Sequence, residues 1–133
     1  MESLTDRHIL GLPEMDTQHE YLYSLFDRIE AVGQQERMKA LLAEIERYLL
    51  FHFECEERLM RMYEFPGFGV HQSDHEQAGK RLVAFLDDFD NNRLNPAALR
   101  IFLTGWLMEH SRISDSEYVK MVVGERKKME VES

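Results

Sequence analysis

The chain has 133 residues, 44% hydrophobic and 31% charged, with a formal net charge of −9. That suits one domain with its own core, and the acidic balance excludes nucleic acid, whose phosphates would be repelled. No apolar run is long enough to span a bilayer and no leader opens the chain, so membrane insertion is excluded as well. The single cysteine, Cys55, forms no internal disulfide, Cys-rich zinc site or iron–sulfur cluster, which points to a reducing, cytoplasmic setting.

Residues 1–15 read as an irregular N-terminal arm, with Gly11 and Pro13 interrupting any helix. A first helix is predicted to start at Thr17, which has capping-box spacing to Glu20, with Asp16 an alternative cap. Its inward stripe is Met15, His19, Leu22, Phe26 and Ile29, and Gly33 breaks it. A second helix is predicted from Gln35 to Tyr63, with stripe Met38, Leu42, Ile45, Leu49, His52, Glu56, Leu59 and Tyr63. Pro66, Gly67 and Gly69 then turn the chain. The third helix is predicted from Val70 to Asn91, with stripe His71, His75, Ala78, Leu82, Phe85 and Phe89.

Asn95 is a natural N-cap and Pro96 suits the first turn of a fourth helix, with stripe Leu99, Leu103, Trp106 and His110. Beyond His110 the phase slips. The old register would bury Ser114, Glu117 and Met121; one extra residue buries Asp115, Tyr118 and Val122 instead. A π-bulge makes such a slip and is common at functional sites. From Gly124 the charged tail, residues 124–133, suits a frayed end or a linker. The fold class is therefore all-α: an up-down-up-down four-helix bundle over residues 16–123, preceded by an arm.

His19, His52, Glu56, His71, His75, His110 and Asp115 come from all four helices and all fall in core phase. One inward histidine is ordinarily a hydrogen-bonded core residue. Seven polar groups are another matter, because each unpartnered one costs on the order of 2–7 kcal/mol to bury. Metal ions cancel that cost. The set exceeds the roughly four ligands of one zinc but suits two six-coordinate ions. With both carboxylates bridging and one solvent oxygen shared, about eleven of twelve positions fill, leaving one open to a small molecule. Cys55 reads as a small packing residue, His8 as a surface residue, and Phe26, Phe51, Phe85, Phe89 and Trp106 as core.

The segments GLPEMDTQHEYL (11–22), HFECEERLM (52–60), HQSDH (71–75) and HSRISDSEY (110–118) resemble the hemerythrin family, in particular the bacterial hemerythrins. That resemblance implies two non-haem iron ions with a bridging oxo or hydroxo group, binding O2 reversibly. It implies that His71, His75 and His110 complete one iron and that His19 and His52 hold the other. Glu56 and Asp115 would bridge, and the open position would lie on the His19/His52 iron. The carboxylate-rich di-iron enzymes instead use Glu-x-x-His pairs, of which the sequence has none.

Three departures stand out: Ala78-Gly79 where a large apolar residue is usual, Ser111 where Ile is usual, and no early Trp. The first two would open or wet the pocket unless Trp106 or Phe85 fills it. The implied activity is oxygen carriage or storage. The alternative is an O2 or redox sensory input domain of a larger signalling protein, such as a diguanylate cyclase or chemoreceptor, in a chain continuing past Ser133. Peroxide or nitric oxide reduction has less support, since no extra acid–base residue stands near the ligands.

Overall fold

The computed structural model describes residues 10–132; His8 lies outside the described residues. The elements are α1 (Pro13–Asp27), a 3-10 turn (Ile29–Ala31), α2 (Gln35–Met62), α3 (Phe68–Asp90), α4 (Pro96–His110), a π-helical turn (Ser111–Asp115) and α5 (Ser116–Glu132). α4, the π turn and α5 follow one another without a break and form the fourth rod of an up-down-up-down bundle. α1 packs against α2 and α4, and α2 against α3. No helix among the described residues is long and apolar enough to cross a membrane.

The first helix starts earlier than the capping-box spacing predicts. Pro13 opens it directly after Leu12, its fixed φ being preorganised for a first turn. Asp16 reaches back instead of capping from in front: its carboxylate accepts the amides of Leu10 at 2.8 Å and Gly11 at 3.0 Å. Gly11 makes the bend with φ +91°, a conformation that glycine adopts without penalty.

α2 stops before Pro66 and Gly67 are reached. Glu64 turns left-handed at φ 52°, its amide bonds to the Arg61 carbonyl, and the Phe65 amide bonds to that of Met60. This is a Schellman stop made without glycine. α3 ends the same way, with Asn92 at φ 57° and Arg93 bonded back to Asp88. Asn95 caps α4 as expected, accepting the Ala98 amide at 3.2 Å.

The phase slip after His110 is a π turn: the Ser116 amide bonds to the Ser111 carbonyl, five residues back. His110 and Asp115 consequently both lie buried, as do Tyr118 and Val122. α5 continues through Gly124 to Glu132. Arg126 on α5 ties back to the start of α1, donating to both carboxylate oxygens of Glu14 at 3.1 and 3.0 Å.

The apolar core is two clusters. One centres on Leu22, Phe26, Ile45, Leu49, Leu99 and Leu103; the other comprises Leu12, Met15, Met60, Tyr118, Val119 and Val122. The stripes placed most core residues, with local corrections. Phe51 is 45% exposed and Phe53 takes its place inside at 4%; Met60, not Leu59 or Tyr63, is fully buried. Phe51 and Phe53 flank His52 about 100° to either side of α2, and the Phe53 side is the one packed on α3, where its ring stacks on His75. Phe85, Phe89, Trp106 and Cys55 are only half-buried.

Candidate metal centre

Spacing on the helices decides which side chains meet. His52 and Glu56 lie one turn apart on α2, and His71 and His75 one turn apart on α3, so each pair shares a face. α1 contributes His19, and the π turn keeps His110 and Asp115 on one side of the fourth rod. All seven are at most 5% exposed. Their donor atoms fall into two groups: Glu56, His71, His75, His110 and Asp115 in one, His19, His52, Glu56 and Asp115 in the other. Within each group the atoms lie within 4.8 Å of one another, and the two carboxylates belong to both.

The inward atoms are crowded. His110 Nε2 lies 2.9 Å from His71 Nε2 and 3.2 Å from His75 Nε2, and His19 Nε2 lies 3.1 Å from His52 Nε2. Asp115 Oδ1 approaches His71 Nε2 at 2.8 Å and His110 Nε2 at 3.1 Å, while Glu56 Oε1 approaches His52 and His75 at 3.1 and 3.2 Å. Yet neither Asp115 oxygen nor Glu56 Oε1 has a hydrogen-bond partner. These approaches have the length of hydrogen bonds without their direction.

The outward ring nitrogens explain why. His52 Nδ1 lies 2.7 Å from Gln18 Oε1, and His75 Nδ1 3.0 Å from Glu57 Oε2, whose other oxygen accepts Gln72 Nε2 at 3.0 Å. An acceptor there fixes the proton on Nδ1 and leaves Nε2 as a bare lone pair facing inward. His110 Nδ1 and His19 Nδ1 have weaker partners at 3.5 Å, Asp74 Oδ2 and Ser111 Oγ. Lone pairs turned on one another and orphaned carboxylate oxygens, all buried, fit a donor set for metal ions.

Electrostatics agree. Burial and Asp115 push the Glu56 carboxyl up, but His52 and His75 outweigh them and hold it below its ordinary range. Burial likewise opposes ionisation of Asp115, and the imidazoles of His110, His19 and His71 overcome it. Both are anionic at neutral pH, as bridging requires. Burial pushes the His52 imidazole down, towards the neutral form that ligates. On His75 burial acts in the same direction, but Glu56 and Glu57 reverse it. Tyr118 is pushed far up by burial and by both carboxylates, so its hydroxyl stays protonated and donates to Glu56 Oε2 at 2.5 Å.

Gln18, Glu57 and Asp74 are supporting residues that stripe-reading passes over, as it does the hydroxyl of Tyr118, whose ring it places in the core. The first three had a signal: each is the sequence neighbour of a candidate donor. A residue one position away sits about 100° round the helix and reaches the next helix. Hence Gln18 on α1 serves His52 on α2, Glu57 on α2 serves His75 on α3, and Asp74 on α3 serves His110 on α4.

Of the four positions expected to shape the pocket, Ala78 packs into the larger cluster at 2% exposure, while Gly79 borders an open groove beside His75. Trp106 stacks on His110 with ring centres 4.5 Å apart, and Phe53 on His75 at 4.0 Å, which gives the three-histidine side an aromatic wall. Phe85 pairs instead with Phe102. Ser111 is buried against His19, not beside His110 facing water.

Comparison with known proteins agrees with this geometry. Residues 10–122 match the family described as hemerythrin, the hemerythrin HHE cation binding domain. A bacteriohemerythrin of Aquifex aeolicus (strain VF5) is 30% identical, aligned over 77% of this chain and 82% of that protein. One from Stenotrophomonas maltophilia (strain R551-3) is 27% identical, over 85% and 76%. A crystal structure of wild-type hemerythrin superposes with a TM-score of 0.81 at 19% identity, covering 91% of this chain and 96% of that one. Since the matched stretch contains all seven donors, this chain belongs to the hemerythrin family.

Proposed function

We propose that the seven-residue cluster holds two non-haem iron ions and binds O2 reversibly, making the protein an oxygen carrier or store. The observation that carries this is the inequality of the two donor groups, five residues against four with two shared. Such ions take about six donors each. With one oxo or hydroxo bridge counted on both, the three-histidine side is complete and the His19/His52 side is one short. That is where a small ligand would bind. Iron supplies, when bound, the electrons that O2 draws on and returns.

The chain's own residues do the rest. The outward partners keep the Nε2 lone pairs available, Glu56 and Asp115 supply two negative charges, and Tyr118 holds one Glu56 oxygen in place. The apolar clusters lie on either side of the donor layer. A bacteriohemerythrin of Clostridium acetobutylicum (strain ATCC 824) is 24% identical over 86% of this chain and 95% of that protein. That a relative aligned over nearly its whole length carries the name bacteriohemerythrin supports the di-iron reading of the donor set.

The purified protein should contain about two iron atoms per chain. Cycling the reduced protein between argon and air should switch its visible spectrum reversibly. His75→Ala, which deletes a donor, should lower the iron content sharply. A native protein without iron, or an iron-loaded one blind to O2, would overturn the reading.

A further inference from the structure

Between α2 and α3 an open groove of about 690 Å³ leads from the surface to the three-histidine side of the centre. Phe53 and His75 form its floor, both nearly buried, and Leu50 and Val83, 52% and 57% exposed, stand on its walls. We propose that this groove binds a planar aromatic electron donor, uncharged or cationic, whose electron reaches the metal centre through the Phe53–His75 stack. The electron-transfer part rests on the di-iron reading above; the binding part does not.

Four observations carry it. The volume falls within the roughly 300–1,000 Å³ of small-molecule sites. The floor is aromatic and continuous with the centre: the Phe53 ring lies 4.0 Å from that of His75 at an interplanar angle of 9°, and Trp106 meets Phe53 edge-on at 5.4 Å. Gly79 leaves the groove wide. It sits in the middle of α3, where glycine weakens a helix relative to alanine, yet an added Cβ would meet nothing within 4 Å. Packing does not require a glycine there; what it provides is room.

Charge selects the class of occupant. Glu46, Glu54, Glu57 and Glu76 line the groove against Arg61 and Lys80; Arg58 pairs with Glu54 at 3.1 Å, while Arg61 is drawn over the Phe68 ring, so a negative excess remains. On a chain of net charge −9 this rim repels phosphate-bearing or carboxylated rings. The chemistry has a use for such a donor, since an oxidised centre must regain electrons before it binds O2 again. In that step one electron leaves a reduced N–H-bearing ring, which becomes its radical and releases a proton to water. Iron, when bound, would take up that electron, and no bond between donor and protein would form or break.

Lumiflavin, an uncharged isoalloxazine, and FMN, the same ring system carrying a ribityl phosphate chain, are the probes. Calorimetric titration of the iron-loaded protein should show saturable one-to-one binding of lumiflavin and at least tenfold weaker binding of FMN. Gly79→Leu fills open space, so it should keep the iron content and hold or raise the melting temperature while weakening lumiflavin at least tenfold. In mildly acidic anaerobic buffer, where reduced lumiflavin stays protonated and uncharged, reduction of the oxidised protein should saturate with donor concentration in the native protein and lose that saturation in Gly79→Leu. The proposal is overturned if lumiflavin does not bind, if FMN binds equally well, or if Gly79→Leu leaves binding and reduction unchanged. It is also overturned if sedimentation shows a dimer that Gly79→Leu dissociates, which would make the groove an interface between copies. Absence of iron in the native protein would defeat the di-iron reading while leaving the binding titration to stand or fall by itself.

Discussion

Tyr118 donates its hydroxyl to Glu56 Oε2 at 2.5 Å from a position with no exposed surface. Its ring fits among Met15, Met60 and Val122, so removing the oxygen alone leaves the packing in place. Tyr118→Phe should therefore fold normally but lower iron affinity about 10–100-fold, the usual consequence of losing an outer partner of a ligand. Competition with a chelator of known affinity measures it, and an unchanged iron occupancy would show that Glu56 is held by the metals alone. Ser111 is the other telling side chain. It puts a buried hydroxyl 3.5 Å from His19, on the side proposed to carry the open position. A polar group there eases charge separation that an apolar wall would penalise. Ser111→Ala should slow spontaneous oxidation in air about two- to tenfold, the rate equivalent of one neutral hydrogen bond. A half-life equal to the native value would assign that oxidation to another route.

At the scale of helices, the π turn has a testable meaning. It adds one residue between His110 and Asp115, so that a spacing of five does the work that four does in a regular helix. Ile113 lies in that turn and is 56% exposed. Deleting Ile113 should convert the turn to regular helix, keep Asp115, Tyr118 and Val122 inward, and preserve the iron content. A variant without iron would show that the widened turn itself shapes the centre. This slip was legible beforehand, because the wrong register would have buried Ser114 and Glu117. The buried cluster of seven polar side chains was legible for the same reason, since polar residues at core spacing are conspicuous; that they ligate metal belongs to the proposal above. Helix ends were not. Thr17 with Glu20 imitates a cap, and nothing local says that Asp16 will instead serve Leu10 and Gly11 across a bend. Glu64 stops α2 in a conformation that sequence rules reserve for glycine or asparagine. The groove at Gly79 was unreadable too, because its width depends on how two helices pack and not on either alone.

Across the described molecule, the seven polar side chains form a layer between one apolar cluster around Phe26, Ile45 and Leu99 and another around Met60 and Tyr118. Neither cluster can close over the layer, since four histidine-bearing rods pass through it. Metal bound there would therefore also stabilise the fold, by RT ln(1 + [L]/Kd), about 4 kcal/mol when free metal exceeds Kd a thousandfold. Chelation should lower the melting temperature, and the loss should be uneven along each rod. Without metal, the backbone amides from His52 to Glu56 and from His71 to His75 should exchange with deuterium much sooner, while those from Leu41 to Leu49, in the larger cluster, keep their protection. Uniform acceleration along α2 would mean that the bundle loosens as one piece. The divided core thus makes the loaded protein a single cooperative unit and the stripped one a pair of half-bundles joined by pliant middles.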